Sequence, residues 1–599
     1  MQTGSPPGPM KNPDETMKAG MTTHPVVYEF AGFRLDLARR VLERDGECVA
    51  LYPRAFDALT LLVQHRDSLL TKELLLERLW PGTMVEENSL ARVISDLRKA
   101  LGDASKCIVT AARRGYRFEA DVRAAHRQRD GEQVAGRKAL AVLPFVAVGG
   151  DADKLLSFGL ADALITRLSR NDEIVVRPTS SVLRYAEAEI SPSDAGRALK
   201  ADVILCGSVR RSESHVRLTV QLIDVRADAA LWAGNFDEAA ADIFTLEDLI
   251  SARVADALAL ELARGERRLL RKRHTNNTAA YEQYIHGRFW LSRRTGASIH
   301  NAVRCFEEAA RLDAGFALAH AGIAEAYIAL SSASTTLDAA RPTEVVPLAR
   351  AAAVRALAID DALGDAHLAL GHIALFYEWS WPAAEAAYQR AIRLSPTSHV
   401  ALQSYAFGLS AVGRLDEALL ESKLARELEP TSMLVRLSMG FILYRARRYG
   451  EAIEELRRCV ALEPESAYAR YRYALALQEV GCHDEASSQF DAMLGIEGGE
   501  VLALVGKAHL LAVSGRWQGA REILARLHVL SREHYVSAYF FAEIHAGLDE
   551  PDEALHWLDQ ACDERAQPMV SLTMNPKFDG LRDHAAFQAL IRRVGLWKA

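Results

Sequence analysis

At 599 residues, with about half of its side chains hydrophobic, a quarter charged and a formal net charge of −7, the chain is ordinary in composition and too long for a single core. About 150 residues per domain suggests about four domains. No apolar run approaches the roughly 18 residues that a membrane span requires, the first 24 residues hold no signal-peptide apolar core, and Cys48, Cys107, Cys206, Cys305, Cys459, Cys482 and Cys562 are scattered without a CxxC pair. These features exclude a spanning helix, a disulfide framework and a cysteine zinc site, and they predict free thiols in the cytoplasm. The eighteen histidines include no HExxH spacing, His367 and His372 are five apart and read as packing or surface residues, and no Walker loop, GxSxG or kinase signature occurs. No catalysis, metal or cofactor is predicted.

Residues 1–24, rich in Pro, Gly, Thr and Met, read as a disordered tail. Short strands follow, with Phe30, Phe33 and Leu35, then Val41 and Leu42 before Gly46. A helix over 54–65 carries a stripe of Phe56, Leu59, Leu62 and Val63, and a second helix opens at Thr71 and ends before Pro81. In ENSLARVISDLRKALGD, Leu90, Val93, Ile94, Leu97 and Leu101 recur at helical spacing, which leaves Asn88, Ser89, Arg92, Ser95, Asp96 and Lys99 on the other face. The segment IVTAARRGYRF then alternates as a strand and breaks at Arg113-Arg114-Gly115 as a hairpin would. From Asn88 to Arg117 there are seven basic side chains against two acidic ones, a local +5 in an acidic chain, which is the electrostatic footprint of a phosphate-binding surface.

Trp80-Pro81, the run Leu97-Arg98-Lys99-Ala100-Leu101-Gly102-Asp103, and Arg114-Gly115-Tyr116-Arg117-Phe118 occur in the order seen in the OmpR/PhoB-type winged-helix DNA-binding domain. Residues 25–123 resemble that domain in the version carried by one-component regulators similar to CadC and ToxR. The resemblance implies that the helix from Asn88 enters the major groove with Asn88, Ser89, Arg92, Ser95 and Asp96 near base edges. Arg92 is then the leading base reader, through a guanidinium fork that fits guanine O6 and N7. Asn88 either reads adenine or caps the helix, and Asp96 either accepts from cytosine or pairs with Arg92. Arg98 and Lys99 fall to phosphates, and Arg113, Arg114 and Arg117 belong to the wing.

A polar linker over 124–137 leads to a region of different character, 138–264. Strand ALAVLPF, helix LLSFGLADALITRLSR, strand IVVRP and helix SDAGRALK precede three successive strands and a helix over about 241–264, the pattern of an α/β or α+β sheet covered by helices. AVLPF, FGLADALITRLSR, VVRPTSS, ADVILCGSVRR and LTVQLIDV resemble the TolB-amino-terminal or FlgO-like domain. Gly149-Gly150-Asp151 reads as a plain turn, and Arg210 and Arg211 as solvated residues of an edge strand.

From 281 to 568 the chain repeats. Pro396, Pro430 and Pro464 lie 34 apart, as do Ala384, Ala418, Ala452, Ala486, Ala520 and Ala554, with large residues four positions later at Tyr388, Leu456, Phe490, Leu524 and Leu558. This is the TPR pattern, about eight units long with an insertion in the unit over 315–362, and residues 569–599 are the expected cap of the last repeat. The resemblance places Phe376, Phe407, Phe441, Tyr444, Tyr468, Tyr471 and Tyr539 on the groove of an all-α superhelix. There they form an aromatic wall for a peptide, protein or small apolar ligand, or else pack between helices.

The fold class expected is therefore multidomain: winged helix-turn-helix, α/β domain, TPR superhelix. The function expected is a cytoplasmic, one-component bacterial transcriptional regulator that binds double-stranded promoter DNA, with RNA polymerase as a partner, a possible dimer on DNA and no membrane partner. The alternatives are a signalling scaffold whose winged helix contacts protein, and a cyclase-associated signalling protein.

Overall fold

The computed structural model describes residues 27–596, apart from 37–40, 45–46, 50, 65–69, 80–86, 112–113, 121, 126–136, 149–150, 170–173, 186–189, 213–214, 240–242, 259–273, 294, 332–338 and 497. The expected tail, the Trp80-Pro81 turn and Gly149-Gly150 lie outside the described residues. Two compact units result, Met1–Gly136 and Arg137–Ala599.

The first unit opens with four antiparallel strands, β1 (Val27–Phe30), β2 (Phe33–Asp36), β3 (Val41–Arg44) and β4 (Glu47–Val49). Helix α1 (Pro53–Gln64), the short β5 (Leu70–Thr71), α2 (Lys72–Leu79) and α3 (Glu87–Leu101) follow, then β6 (Ile108–Ala111) and β7 (Gly115–Phe118). A last strand, β8 (Val122–Ala125), returns to pair antiparallel with β1, so the sheet order is β4-β3-β2-β1-β8. The expected boundary at 123 cuts through that strand. The domain continues to Ala125, because β8 satisfies the backbone of what would otherwise be an open edge. Tyr28, Phe30 and Leu35 from the sheet meet Leu59 and Leu62 of α1, Leu97 of α3 and Phe118 of β7 in one core, where Phe30 and Phe118 meet edge to face at 5.1 Å.

The second unit begins with a mixed sheet. Strands β9 (Lys138–Val142), β10 (Val146–Ala147), β11 (Ile174–Val176), β12 (Val203–Arg211), β13 (His215–Asp224) and β14 (Ala229–Ala239) run in the order β11-β9-β12-β13-β14, with β10 also on β12. The pairings of β11, β9, β10 and β12 are parallel, and those of β12, β13 and β14 antiparallel. Helices α4 (Asp151–Leu168), α5 (Pro192–Ala198) and α6 (Ile243–Ala257) accompany it. Strand β12 is interior rather than an edge, although Arg210 and Arg211 are exposed as expected. Arg211 donates its backbone N–H to an Asp153 carboxylate oxygen and pairs through its guanidinium with Glu282 at 3.1 Å.

Eight helix pairs follow: Thr278–Ser292 with Gly296–Leu312, Ala317–Leu330 with Pro342–Ile359, Gly364–Phe376 with Trp381–Leu394, His399–Ala411 with Leu415–Leu428, Met433–Arg445 with Tyr449–Leu462, Ala467–Glu479 with His483–Met493, Glu500–Val513 with Trp517–Leu530, and Ala538–Gly547 with Pro551–Asp563. In each pair the first is the A helix and the second the B helix. The alanines of the 34-residue series, Ala384 to Ala554, are all fully buried where paired helices cross. The large residue four positions on then rests against the A helix. At Gly506 a Cβ would lie 2.2 Å from the Phe490 ring, so only glycine admits that close approach.

The sheet domain and the repeats are not separate bodies. One apolar cluster runs from Leu140, Leu164 and Leu222 through Val254 and Leu258 to Tyr281, Ile285, Phe316 and Ala366. Ile285 of the first A helix sits on Gly159 of α4, and Arg288 reaches Asp162 of the same helix at 3.1 Å. A second contact is made further along the array. Arg177, just after β11, donates to the carbonyls of Leu428 (2.7 Å) and Lys200 (2.5 Å) and faces Glu429 at 3.6 Å, and the Thr397 hydroxyl donates to the Ser169 carbonyl.

After the eighth pair the chain turns inward. Two short 3-10 segments, Gln567–Ser571 and Pro576–Leu581, touch A helices of the third, fifth and eighth repeats before helix Ala585–Val594 packs on the last B helix. Arg565 stacks on Trp379 at 4.4 Å and donates to the Tyr377 carbonyl, so the array curls until its last turn meets its third repeat. The final helix, with Arg593 on Asp559 and Asp563, covers the B helix of the last repeat, while Pro576–Leu581 lies on its A helix.

Candidate nucleic-acid interface

Helix α3 is held by one face. Leu90, Ile94, Leu97 and Leu101, four residues at helical spacing, are each 1 % exposed or less, and burial of such side chains contributes about 1.5–3 kcal/mol apiece. Gly102, with φ +53°, ends the helix in a left-handed turn that residues with a Cβ rarely adopt. The opposite face is open: Arg92, Ser95 and Lys99 are exposed, while Ser89 and Asp96 are partly so. Arg92 forms no ion pair with Asp96 among the described residues, which leaves its guanidinium available. The side chain of Asn88 lies outside the described residues.

The wing is built against β5, the short strand that leads into α2. Strands β5, β7 and β6 form a three-stranded sheet in which Gly115 pairs with Thr71 and Ala111. A Cβ on Gly115 would lie 1.9 Å from the Leu70 carbonyl oxygen, so the strand crossing requires glycine there. Arg114 projects from the turn, exposed, and its backbone N–H donates to the Ala111 carbonyl at 2.9 Å. Arg117 is half exposed and pairs with Glu119 at 3.1 Å. Arg113 falls outside the described residues.

Arg98, expected as a phosphate contact, is engaged within the domain. Its guanidinium donates to the Ile108 carbonyl at 2.6 Å and to the Thr110 hydroxyl at 2.7 Å, bracing α3 against the first strand of the wing. Arg98→Ala is expected to lower the stability of the first unit by about 1.5–3 kcal/mol, the usual worth of a charge-assisted hydrogen bond. Urea unfolding measures that loss, and an unchanged slope of log affinity against log salt would separate a brace from a phosphate contact.

This arrangement is one of three helices with a basic β-hairpin. Residues 46–118 match the family described as transcriptional regulatory protein, C terminal. They form an OmpR/PhoB-type winged-helix domain. Residues 136–253 match the HilA/YgeH-like transcriptional regulator, second domain. Among individual proteins, the transcriptional regulatory protein CutR of Streptomyces coelicolor is 37 % identical over 95 residues, which is 16 % of this chain and 43 % of CutR. The transcriptional activator CadC of Escherichia coli is 31 % identical over 81 residues, 13 % of this chain and 16 % of CadC. A putative adenylate cyclase 3 of Rhizobium meliloti is 29 % identical over 250 residues, 42 % of this chain and 41 % of that protein. The chain thus spans less than half the length of each of these relatives. The OmpR/PhoB-type domain accounts for α3 and the wing; it does not account for the repeats.

On the inner face of the array the expected aromatic residues do come together. Phe376 and Phe407 lie 5.3 Å apart, Phe407 and Phe441 5.8 Å, and Phe441 and Tyr444 5.9 Å. They are not an open wall. Tyr444, Tyr471 and Tyr539 are buried, and Tyr539 meets Phe578 of the inward-turned segment at 5.4 Å. Nor is the surface purely apolar. Arg445 and Arg472, which sequence reading passed over, stack among these rings. A signal for Arg472 was present: its register holds Ser404, Ser438 and Gly506 in neighbouring repeats. Among the described residues no helix is long and apolar enough to cross a membrane, and no group of side chains could hold a metal ion.

Proposed function

We propose that the chain is a transcriptional regulator that reads promoter DNA through α3 and the wing, in the cytoplasm, with the sheet domain and repeats as its sensing or partner-binding part. The observation that carries this reading is the exposed, unpaired face of Arg92, Ser95 and Lys99 beside Arg114 on the wing of an OmpR/PhoB-type domain. Arg92 acts as the base reader, Lys99 and Arg114 as phosphate contacts, with Asn88, Ser89, Asp96, Arg113 and Arg117 flanking them. RNA polymerase as a partner and a dimer on adjacent half-sites belong to the same proposal.

The test is a pair of variants on specific and scrambled duplex at two salt concentrations. Arg92→Ala is expected to cost about 1–3 kcal/mol on the specific duplex alone, whereas Arg114→Ala weakens both and lowers the salt slope by about 1. Equal losses on both duplexes for Arg92→Ala sink its role as a reader. The relative named a putative adenylate cyclase favours a second reading, a cyclase-type signalling protein. Incubating the pure chain with ATP and magnesium and assaying cyclic AMP decides against it if none forms.

A further inference from the structure

Arg445, the last residue of the fifth A helix, is 2 % exposed, among the most buried large side chains in the structure. Its guanidinium lies 4.3 Å from the Phe407 ring and 4.4 Å from the Phe441 ring. It donates to the Ser410 hydroxyl at 2.6 Å, more weakly to the Phe407 carbonyl at 3.3 Å, and to the Ser571 hydroxyl of the inward-turned segment, while its Nε has no partner. Arg472 stands beside it, 3.5 Å over the Phe441 ring and 4.7 Å over Tyr468, with a buried Nε that is likewise unpartnered. Neither guanidinium has a carboxylate within ion-pair distance among the described residues, and burial together with the Arg472 charge pulls the Arg445 pKa down to about 9.

A buried cation with a partly exposed second cation next to it, and no anion for either, is expensive to keep. Ring faces recover part of the loss, but hydroxyl and carbonyl oxygens are weak substitutes for a full negative charge. The other cation nearby is already neutralised. Lys577 pairs with Glu543 at 2.8 Å, and Asn575 donates to Glu543 and to the Tyr539 hydroxyl, so these contacts fasten the segment in place. What remains unmet is an oxyanion at the arginine pair, beside a row of tilted and stacked rings.

We propose that Arg445 and Arg472 form a binding site for a small aryl oxyanion, a phosphate monoester or carboxylate, whose charged end takes the place of the Ser571 hydroxyl on Arg445 while its flat body stacks on the Phe376–Phe407–Phe441 ladder. The two planar forks suit such an oxyanion bidentately, and the rings supply the apolar half of the site. Entry of the ligand displaces the Gln567–Ser571 turn, which changes how the array closes on its third repeat. That this closure regulates DNA binding rests on the function proposed above. That the site takes an anion does not.

The experiment uses the full chain and four probes: phenyl phosphate, benzoate, inorganic phosphate and uncharged benzamide, each followed by calorimetry and thermal melting up to about 1 mM. Phenyl phosphate or benzoate is expected to bind with one-to-one stoichiometry and raise the melting temperature, and whichever binds more tightly identifies the oxyanion. Arg472→Gln, on the partly exposed side of the site, should weaken binding by about tenfold or more. Arg445→Met should abolish binding while leaving the unliganded protein as stable as before or more so, because an apolar side chain replaces an uncompensated buried charge. Absence of saturation by either aryl anion, or unchanged binding by Arg472→Gln, overturns the site. Binding of inorganic phosphate as tight as that of phenyl phosphate overturns the stacking half. A shift assay with and without the bound aryl anion then tests regulation separately: anion binding without any change in DNA affinity leaves the site standing and removes its regulatory role.

Discussion

Arg177→Ala is expected to lower the stability of the second unit by about 3–5 kcal/mol, the usual consequence of removing one partner from a buried charge pair. Arg177 is 4 % exposed and Glu429 1 %, and the arginine satisfies three groups at once: the carbonyls of Leu428 and Lys200 and the Glu429 carboxylate. Burial pulls its pKa below the ordinary arginine value, while Glu429 and Asp202 favour the charged form. With the guanidinium gone, Glu429 keeps only the local donors of Thr431, and one of its oxygens already lacks a partner. The urea midpoint of the helical signal measures the loss. Combining Arg177→Met with Glu429→Gln should recover part of it, because the uncompensated charge is then removed. A loss below about 1 kcal/mol for Arg177→Ala would mean the pair is as solvated as a surface one.

That bridge also marks where sequence reading stops. The α3 stripe was legible because Leu90, Ile94, Leu97 and Leu101 obey a local period, and the repeats because Ala384 to Ala554 obey a longer one. The three-part fold class followed from those periods. Contacts without a period were not legible. Arg98 looked like any cation on the charged side of a helix, and its partners at Ile108 and Thr110 are fixed only once the wing folds back. Strand β8 is four residues long and earns its place solely by pairing with β1, nearly a hundred positions earlier. The sheet domain and the repeats read as two domains because each has its own pattern, yet Ile285 and Tyr281 belong to the sheet's core. The inward turn of residues 567–581 looks in part like a cap, since nothing local distinguishes a segment that covers a helix end from one that crosses an inner face.

The repeats should be acid-labile well before their carboxylates titrate. His399 and His372 are held neutral, with pKa values lowered to about 4 by burial and, for His399, by the Arg177 charge as well. His509, 3 % exposed and bonded through Nδ1 to the Gln478 side chain, is lowered further by burial and by Lys577. In the unfolded chain each takes up a proton near pH 6.5. The folded state therefore keeps its full stability above about pH 6.5 and loses it as the pH falls toward about 4, because only the unfolded state gains the protons. Each fully neutral histidine is worth about 1.4 kcal/mol per pH unit in that window, so His399 and His372 together account for about 4 kcal/mol at pH 5, with His509 acting in the same direction. Melting temperatures at pH 7.5, 6 and 5 should fall steeply over the lower interval, and a flat profile would refute the assignment. His399→Leu should flatten the slope by about one proton's worth. Arg177→Met should shrink the His399 contribution, since removing the cation that adds to the effect of burial raises the folded-state pKa toward the unfolded value, and this coupling ties the acid response to the same bridge between sheet and repeats.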